Sequence, residues 1–253
     1  MINLTPWPDF LTQLKGDLSP DNLKKARHFA LLAPTRGGKT TLAVDPIEGI
    51  IPRIYKDVPV LIVDSTSDPN PPMIEYGEKY SKYGPIKGHR KITVSDFTNA
   101  SKEKIYRAID KAYKQGNVVI YIDEVRQVAD PRFFGMQRLL EHIWLFGGKR
   151  GIVLGGGTQA PRWVPSAFYD QSKCHFIFRI RDLRSRKRLS EISGDIDTLN
   201  TVVPSLKEFE FAYVNPDGDV TVSKLEHSTA SKESKLVAVQ KKARIDSESL
   251  RMR

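Results

Sequence analysis

The chain has 253 residues, and 40 Lys+Arg against 30 Asp+Glu give a formal net charge of +10. Its single cysteine, Cys174, cannot close an intramolecular disulfide, and no uncharged apolar run approaches the ~20 residues that span a bilayer. The opening MINLTPWPDF has no basic segment leading into an apolar stretch and cleavage site, so the expected location is cytoplasmic, or the host cytoplasm or virion for a viral protein. The positive charge makes a polyanion the expected partner. The bland alternative is a soluble basic protein that binds nothing in particular.

Residues 1–27 are polar and punctuated by prolines, and read as an N-terminal extension with Trp7 and Phe10 as packing anchors. His28–Leu32 is a buried strand, followed by a glycine-rich turn and a helix from about Gly38. Residues 58–63 (VPVLIV) form a second strand ending at Asp64, and residues 90–94 a weaker third. Ile105, Ala108, Ile109 and Ala112 recur at helical spacing and predict a helix over residues 101–115, with Ser101 as its N-cap.

Val118–Ile122 (VVIYI) is the clearest buried strand and stops at Asp123-Glu124. Residues 133–146 then read as a helix, with Trp144 and Phe146 assigned to the core, and residues 151–154 as a strand that runs on to Thr158-Gln159. Residues 174–180 (CHFIFRI) are a further strand, and the basic stretch 181–192 a helix. Residues 209–214, a Pro216-Asp217-Gly218 turn and residues 220–222 make a C-terminal β-hairpin. Residues 228–253 are Ser/Lys-rich with few large apolar side chains, and read as a basic, disordered tail. Strands alternating with helices predict an α/β fold with a mostly parallel sheet covered on both faces. Ligands of such sheets bind beyond the carboxyl ends of the strands, where the glycine turn, Asp64, Asp123-Glu124 and Gln159 all fall.

Residues 33–40, Ala-Pro-Thr-Arg-Gly-Gly-Lys-Thr, match the phosphate-binding loop G-x-x-x-x-G-K-[ST] except that Ala33 replaces its first glycine. Gly37 and Gly38 let backbone N–H groups close around a phosphate, and the following helix N-terminus adds partial positive charge. Pro34, Thr35, Arg36, Gly37, Gly38, Lys39, Thr40 and Thr41 are therefore the predicted nucleotide contacts. Lys39 would reach the β- and γ-phosphates, and Thr40 would place its hydroxyl on Mg²⁺. Asp123 completes the Mg²⁺ site, and Glu124 stands where a general base would polarise an attacking water.

The loop APTRGGKTT, the strand VLIVDSTSDP, the segment VVIYIDEVRQV and LFGGKRGIVLGGGTQAPRWVP run in the order of the FtsK–HerA superfamily of RecA-like P-loop ATPases, which residues 28–195 resemble. A basic Lys149-Arg150-Gly151 leading into a strand that ends in TQAP is similar to the family's arginine–strand–TQxP signature, and FIFRIRDLRSRKRL to the stretch after it. The resemblance implies a P-loop ATPase domain over residues 28–227 and a homo-oligomeric ring, usually hexameric, that hydrolyses ATP to move double-stranded DNA. It implies that Gln159 senses the γ-phosphate or the attacking water. It also implies that Arg150 is supplied in trans to the neighbouring subunit's ATP, with Lys149, Arg179 and Arg181 as rivals.

A small, nearly single-domain member of this kind resembles most a viral genome-packaging ATPase, which pumps DNA into a preformed capsid and docks on a capsid or portal protein. A plasmid-transfer or DNA-processing ATPase of the same family is the near alternative, and a nucleotide-switched binding module the distant one. Residues 179–188 (RIRDLRSRKR) could touch DNA phosphates or form a solvated subunit face. No base-reading motif is visible, so contact with DNA is expected to be independent of sequence.

Overall fold

The computed structural model describes residues 4–67, 71–192 and 196–225. The expectation of a disordered tail over residues 228–253 lies outside them. The chain opens with β1 (Leu4–Thr5) and α1 (Trp7–Leu18), then β2 (His28–Leu32), α2 (Lys39–Val44), α3 (Ile50–Ile54) and β3 (Val60–Asp64). Next come α4 (Pro71–Glu75), β4 (Glu78–Lys79), β5 (His89–Thr93), α5 (Asn99–Gln115), β6 (Val118–Ile122), α6 (Val125–Ala129) and α7 (Gln137–Phe146). The last part holds β7 (Ile152–Thr158), α8 (Ser166–Asp170), β8 (Ser172–Phe178), α9 (Leu183–Lys187), α10 (Ile196–Ser205), β9 (Glu210–Val214) and β10 (Val220–Lys224).

The ten strands of the described residues join one sheet in the order β1-β10-β9-β8-β2-β7-β6-β3-β5-β4. The block from β8 to β4 is parallel, and β9 runs against its neighbours β8 and β10. The predicted mostly parallel sheet and the terminal hairpin are thus both present, the hairpin as an extension of the same sheet. Strand alternation divides the core in two. Leu61, Val63, Ile120 and Leu154 face α5 and α7, while Val60, Ile62, Phe29 and Val153 face α1, α2 and α3. Trp7 and Phe10 of α1 are buried in the second layer, where Phe10 packs edge-on against Phe176 and Tyr213. No helix among the described residues is long and apolar enough to cross a membrane.

Several predicted boundaries shift for local reasons. Strand β3 starts after Pro59, whose ring nitrogen has no proton for the ladder, although its carbonyl accepts from Val119 at 2.9 Å. Thr98, not Ser101, caps α5, because its Oγ1 accepts the Ser101 N–H at 3.2 Å. Helix α7 begins at Gln137 rather than residue 133, since Gly135 stands at φ +66°, outside helical space. Trp144 is buried but Phe146 is 46% exposed, because residues two apart point to different sides of a helix. The predicted helix 181–192 begins at Leu183, capped by Asp182, which accepts from Ser185 N at 2.8 Å, and narrows to a 3₁₀ turn at Arg188–Glu191.

Candidate nucleotide-binding site

Parallel strands β2, β6 and β7 lie side by side, so the segments leaving their carboxyl ends converge. The loop after β2 closes on itself through Gly37 N–H to Pro34 O at 3.0 Å, with Arg36 at φ +61° and Gly38 at φ +99°. A Cβ on Gly37 would come within 2.9 Å of the Pro34 carbonyl oxygen, so glycine is required for this tight loop. Ala33 is 1% exposed, and its methyl lies 3.1 Å from where that Cβ would stand. The alanine at the motif's first position is therefore accommodated as core packing. Pro34, Thr35 and Arg36 are exposed at the tip, Gly37, Gly38 and Thr41 are half-buried, and Lys39 and Thr40 are buried.

Lys39 reaches across to β6. Its Nζ donates to the Asp123 carbonyl at 2.6 Å and to Asp123 Oδ1 at 2.7 Å, a buried ion pair. The same Oδ1 accepts from Thr40 Oγ1 at 3.3 Å and from Tyr121 Oη at 3.1 Å. Glu124 is 5% exposed; its Oε1 accepts from Thr158 Oγ1 at 2.9 Å and its Oε2 from the Gln159 N–H at 2.9 Å. Thr35 Oγ1 donates to Gln159 Oε1 at 2.8 Å and so closes a ring of contacts from loop to acid to glutamine. Burial pushes the Glu124 carboxyl above the ordinary glutamate range, opposed by the Lys39 charge and by the hydrogen bonds from Gln159 and Thr158. A buried base whose pKa is raised toward neutrality is better matched to proton abstraction.

Thr40 and Asp123 offer Mg²⁺ a hydroxyl and a carboxylate 3.3 Å apart, hard oxygen donors of the kind it shares with a bound phosphate. Among the described residues, no group of three or more His, Cys, Asp or Glu side chains could hold a metal alone. These residues fit Mg²⁺ as part of a nucleotide complex, not as an all-protein cage.

Arg150 is not brought to this cluster. It precedes β7, so the length of that seven-residue strand separates it from Gln159, roughly 23 Å at 3.3 Å per residue. There its Nε donates to the Tyr113 carbonyl at 2.9 Å and its Nη2 to the Lys114 carbonyl at 2.8 Å, capping the end of α5. Lys149 is exposed beside it. Arg179 and Arg181 follow β8 and lie at the carboxyl end of the sheet, on the same side as the loop.

Three contributors are given no role of their own by the motifs, although Thr158 opens the TQAP segment. Thr158 and Tyr121 orient the two acids, and Gly157 makes room for them. A Cβ on Gly157 would stand 2.5 Å from Lys39 Cδ and 2.6 Å from the Asp123 carbonyl oxygen. The only sequence signal for it is the run of three glycines in a central strand, which usually marks a close approach by another group.

No protein-family model and no curated protein matches the chain. Among solved structures it is similar to the genome packaging NTPase B204 from Sulfolobus turreted icosahedral virus 2 in complex with AMPPCP, with a TM-score of 0.60 and 17% identity over 81% of this chain and 98% of that one. It is also similar to the pCW3 conjugation coupling protein TcpA with ATPγS, at TM-score 0.50 and 15% identity over 80% of this chain and 60% of that one. A third likeness is to ATPases 2 and 3 of Thermomonospora curvata EccC, at TM-score 0.53 and 12% identity, covering 80% of this chain and 37% of that one. The fold is that of a P-loop ATPase.

Proposed function

We propose that this chain is an ATP-hydrolysing ring motor that translocates double-stranded DNA and packages a viral genome into a preformed capsid. The observation that carries the ATPase half is that Lys39 and Thr40 bond the carboxylate of Asp123 while the next residue, Glu124, is held by Thr158 and the Gln159 N–H. The packaging half is supported by the likeness to a genome packaging NTPase over nearly that protein's whole length. The likeness to a conjugation coupling protein supports a plasmid-transfer ATPase as the second reading.

In this reading ATP phosphates occupy the loop, and Lys39 turns from Asp123 toward the β- and γ-phosphates. Thr40 and Asp123 would hold Mg²⁺, which would supply positive charge to offset that of the phosphates. Gln159 gives up its bond to Thr35 and orients a water. Glu124 accepts a proton from that water as its oxygen bonds to the γ-phosphorus and the bond to the ADP oxygen breaks. Arg150 of a neighbouring subunit stabilises the charge that develops, which suits a residue that lies too far from its own site to act there. The test is ATP turnover with Glu124→Gln, with and without duplex DNA. Loss of turnover in the variant, and DNA stimulation in the parent, support the motor; turnover indifferent to DNA moves the substrate elsewhere.

A further inference from the structure

Beyond the catalytic cluster, the carboxyl end of the sheet carries an exposed tryptophan surrounded by guanidinium groups. Trp163 is 49% exposed, and the Cζ atoms of Arg126, Arg132 and Arg162 stand over its ring at 5.6, 5.7 and 5.1 Å from the centroid. Each contact is a weak attraction at an exposed site, whereas three like charges gathered on one ring repel one another. Asp130 offsets part of this, through its ion pair with Arg132 at 2.6 Å and its field at Arg126. Asp182 lies within electrostatic reach of Arg162. Beyond Asp182 the surface continues into the basic helix α9, with Arg184, Arg186 and Lys187. Arg126 Nε is buried without a hydrogen-bond partner, and so is Gln127 Oε1 beside it.

The ring geometry selects the ligand. Guanidiniums already stand over the indole, so it is not a free platform for stacking a base. It instead holds planar forks in place, and stacked arginines of this kind present their N–H edges to phosphate. The connections reach the catalytic residues directly. Glu124 is the N-cap of α6, which carries Arg126, and the turn after Gln159 closes through Trp163 N–H to Ala160 O at 2.9 Å. The arm bearing the base and the arm bearing the glutamine therefore meet at the Arg126–Trp163 contact.

We propose that this arginine–tryptophan cluster grips the sugar-phosphate backbone of duplex DNA and couples that grip to Glu124 and Gln159. The inference rests on the DNA-motor reading and adds the surface and the route. Phosphates entering the cluster draw Arg126 and Arg162 outward, and the two arms shift together.

The test uses the full chain with Arg126→Gln/Arg162→Gln, Trp163→Ala and Trp163→Phe, and with Arg107→Gln, on the exposed face of α5, as a single-charge control. Affinity for a labelled duplex is measured over a salt series, together with the ratio of DNA-stimulated to DNA-free turnover. The double arginine variant is expected to flatten the plot of log affinity against log salt by about 2, close to 0.9 for each phosphate no longer neutralised, while the control does not. Trp163→Ala carries no charge change, so it is expected to lower the stimulation ratio by about tenfold and leave the salt slope in place, with Trp163→Phe restoring the ratio. An unchanged slope in the double variant, against a parent that binds DNA, overturns the surface and leaves the motor standing. A lowered slope with an intact stimulation ratio in all variants overturns the coupling. A parent that neither binds duplex DNA nor responds to it overturns the inference and the motor together.

Discussion

Thr35 Oγ1 donates to Gln159 Oε1 at 2.8 Å, tying the phosphate-binding loop to the end of β7 across 124 residues of sequence. Through its backbone N–H the same glutamine holds Glu124. In the proposed reading, a phosphate seated on the loop would disturb a contact that leads straight to the proposed base, a short route from nucleotide binding to the residues proposed for hydrolysis.

The raised pKa of Glu124 fixes the sign of the pH dependence. A general base must be deprotonated, so kcat should climb with pH through an acid limb that lies above the ordinary glutamate range. The Thr158 hydroxyl lowers this pKa, so Thr158→Val should move the limb to higher pH still. Glu124→Gln should lower kcat by about 10²–10⁴-fold. The pH profile of kcat in the three proteins checks this, and a limb at or below the ordinary carboxylate value contradicts it.

Gly157→Ala places a methyl against Lys39 Cδ and the Asp123 carbonyl, and the latter belongs to the backbone at the end of β6 and cannot swing away. The overpacking should cost about 1–3 kcal/mol of stability and, by displacing Lys39, weaken ATP binding by at least about tenfold. Gly16→Ala, where nothing lies within 4 Å of the new Cβ, should do neither. Thermal denaturation and nucleotide titration of both variants measure the difference.

His28 is locked in one tautomer. Its Nδ1 accepts the Leu154 N–H at 2.9 Å, so Nε2 carries the proton and donates to the Trp144 carbonyl at 3.1 Å. Burial lowers its pKa from 6.5 to about 4, against that carbonyl bond, which raises it. A folded pKa below the unfolded one means the unfolded chain takes the proton first. Stability is therefore present above pH 6.5 and lost as the pH falls toward 4, by about 3 kcal/mol at 1.36 kcal/mol per pH unit. Urea midpoints measured across that window should fall with pH; in His28→Gln the fall should shrink.

Arg150→Ala should lower turnover by about 10³-fold or more if the arginine serves a neighbouring active site. Mixing it with Lys39→Ala subunits should restore part of the activity, because some interfaces then pair an intact lysine with an intact arginine. Full activity in Arg150→Ala, or no recovery on mixing, removes Arg150 from this role and leaves it as the cap of α5.

The strands β2, β6 and β7 are legible in the sequence because each is an apolar run that ends in a chemical signal. Lys39-Thr40, Asp123-Glu124 and Gln159 can therefore be placed at one end of a sheet from the amino-acid sequence alone. What stays hidden depends on partners distant in sequence. Trp7 and Phe10 read as anchors, but not their helix, whose buried face is recognisable only against Phe176 and Tyr213. Residues 155–157 carry no side chain to mark what they pack against, although they lie in a buried strand whose Gly157 admits Lys39. Thr98 and Ser101 are both good helix caps, and only backbone geometry separates them. Thr158 is legible as the first residue of the TQAP segment at a strand end, but nothing local records that its hydroxyl meets Glu124.

Steady-state ATP turnover of the full chain, with and without long duplex DNA over a salt series, tests the central claim most directly. A motor gripping phosphates should show turnover that DNA stimulates and salt suppresses. Brisk turnover at the same rate with and without DNA at every salt concentration would contradict it.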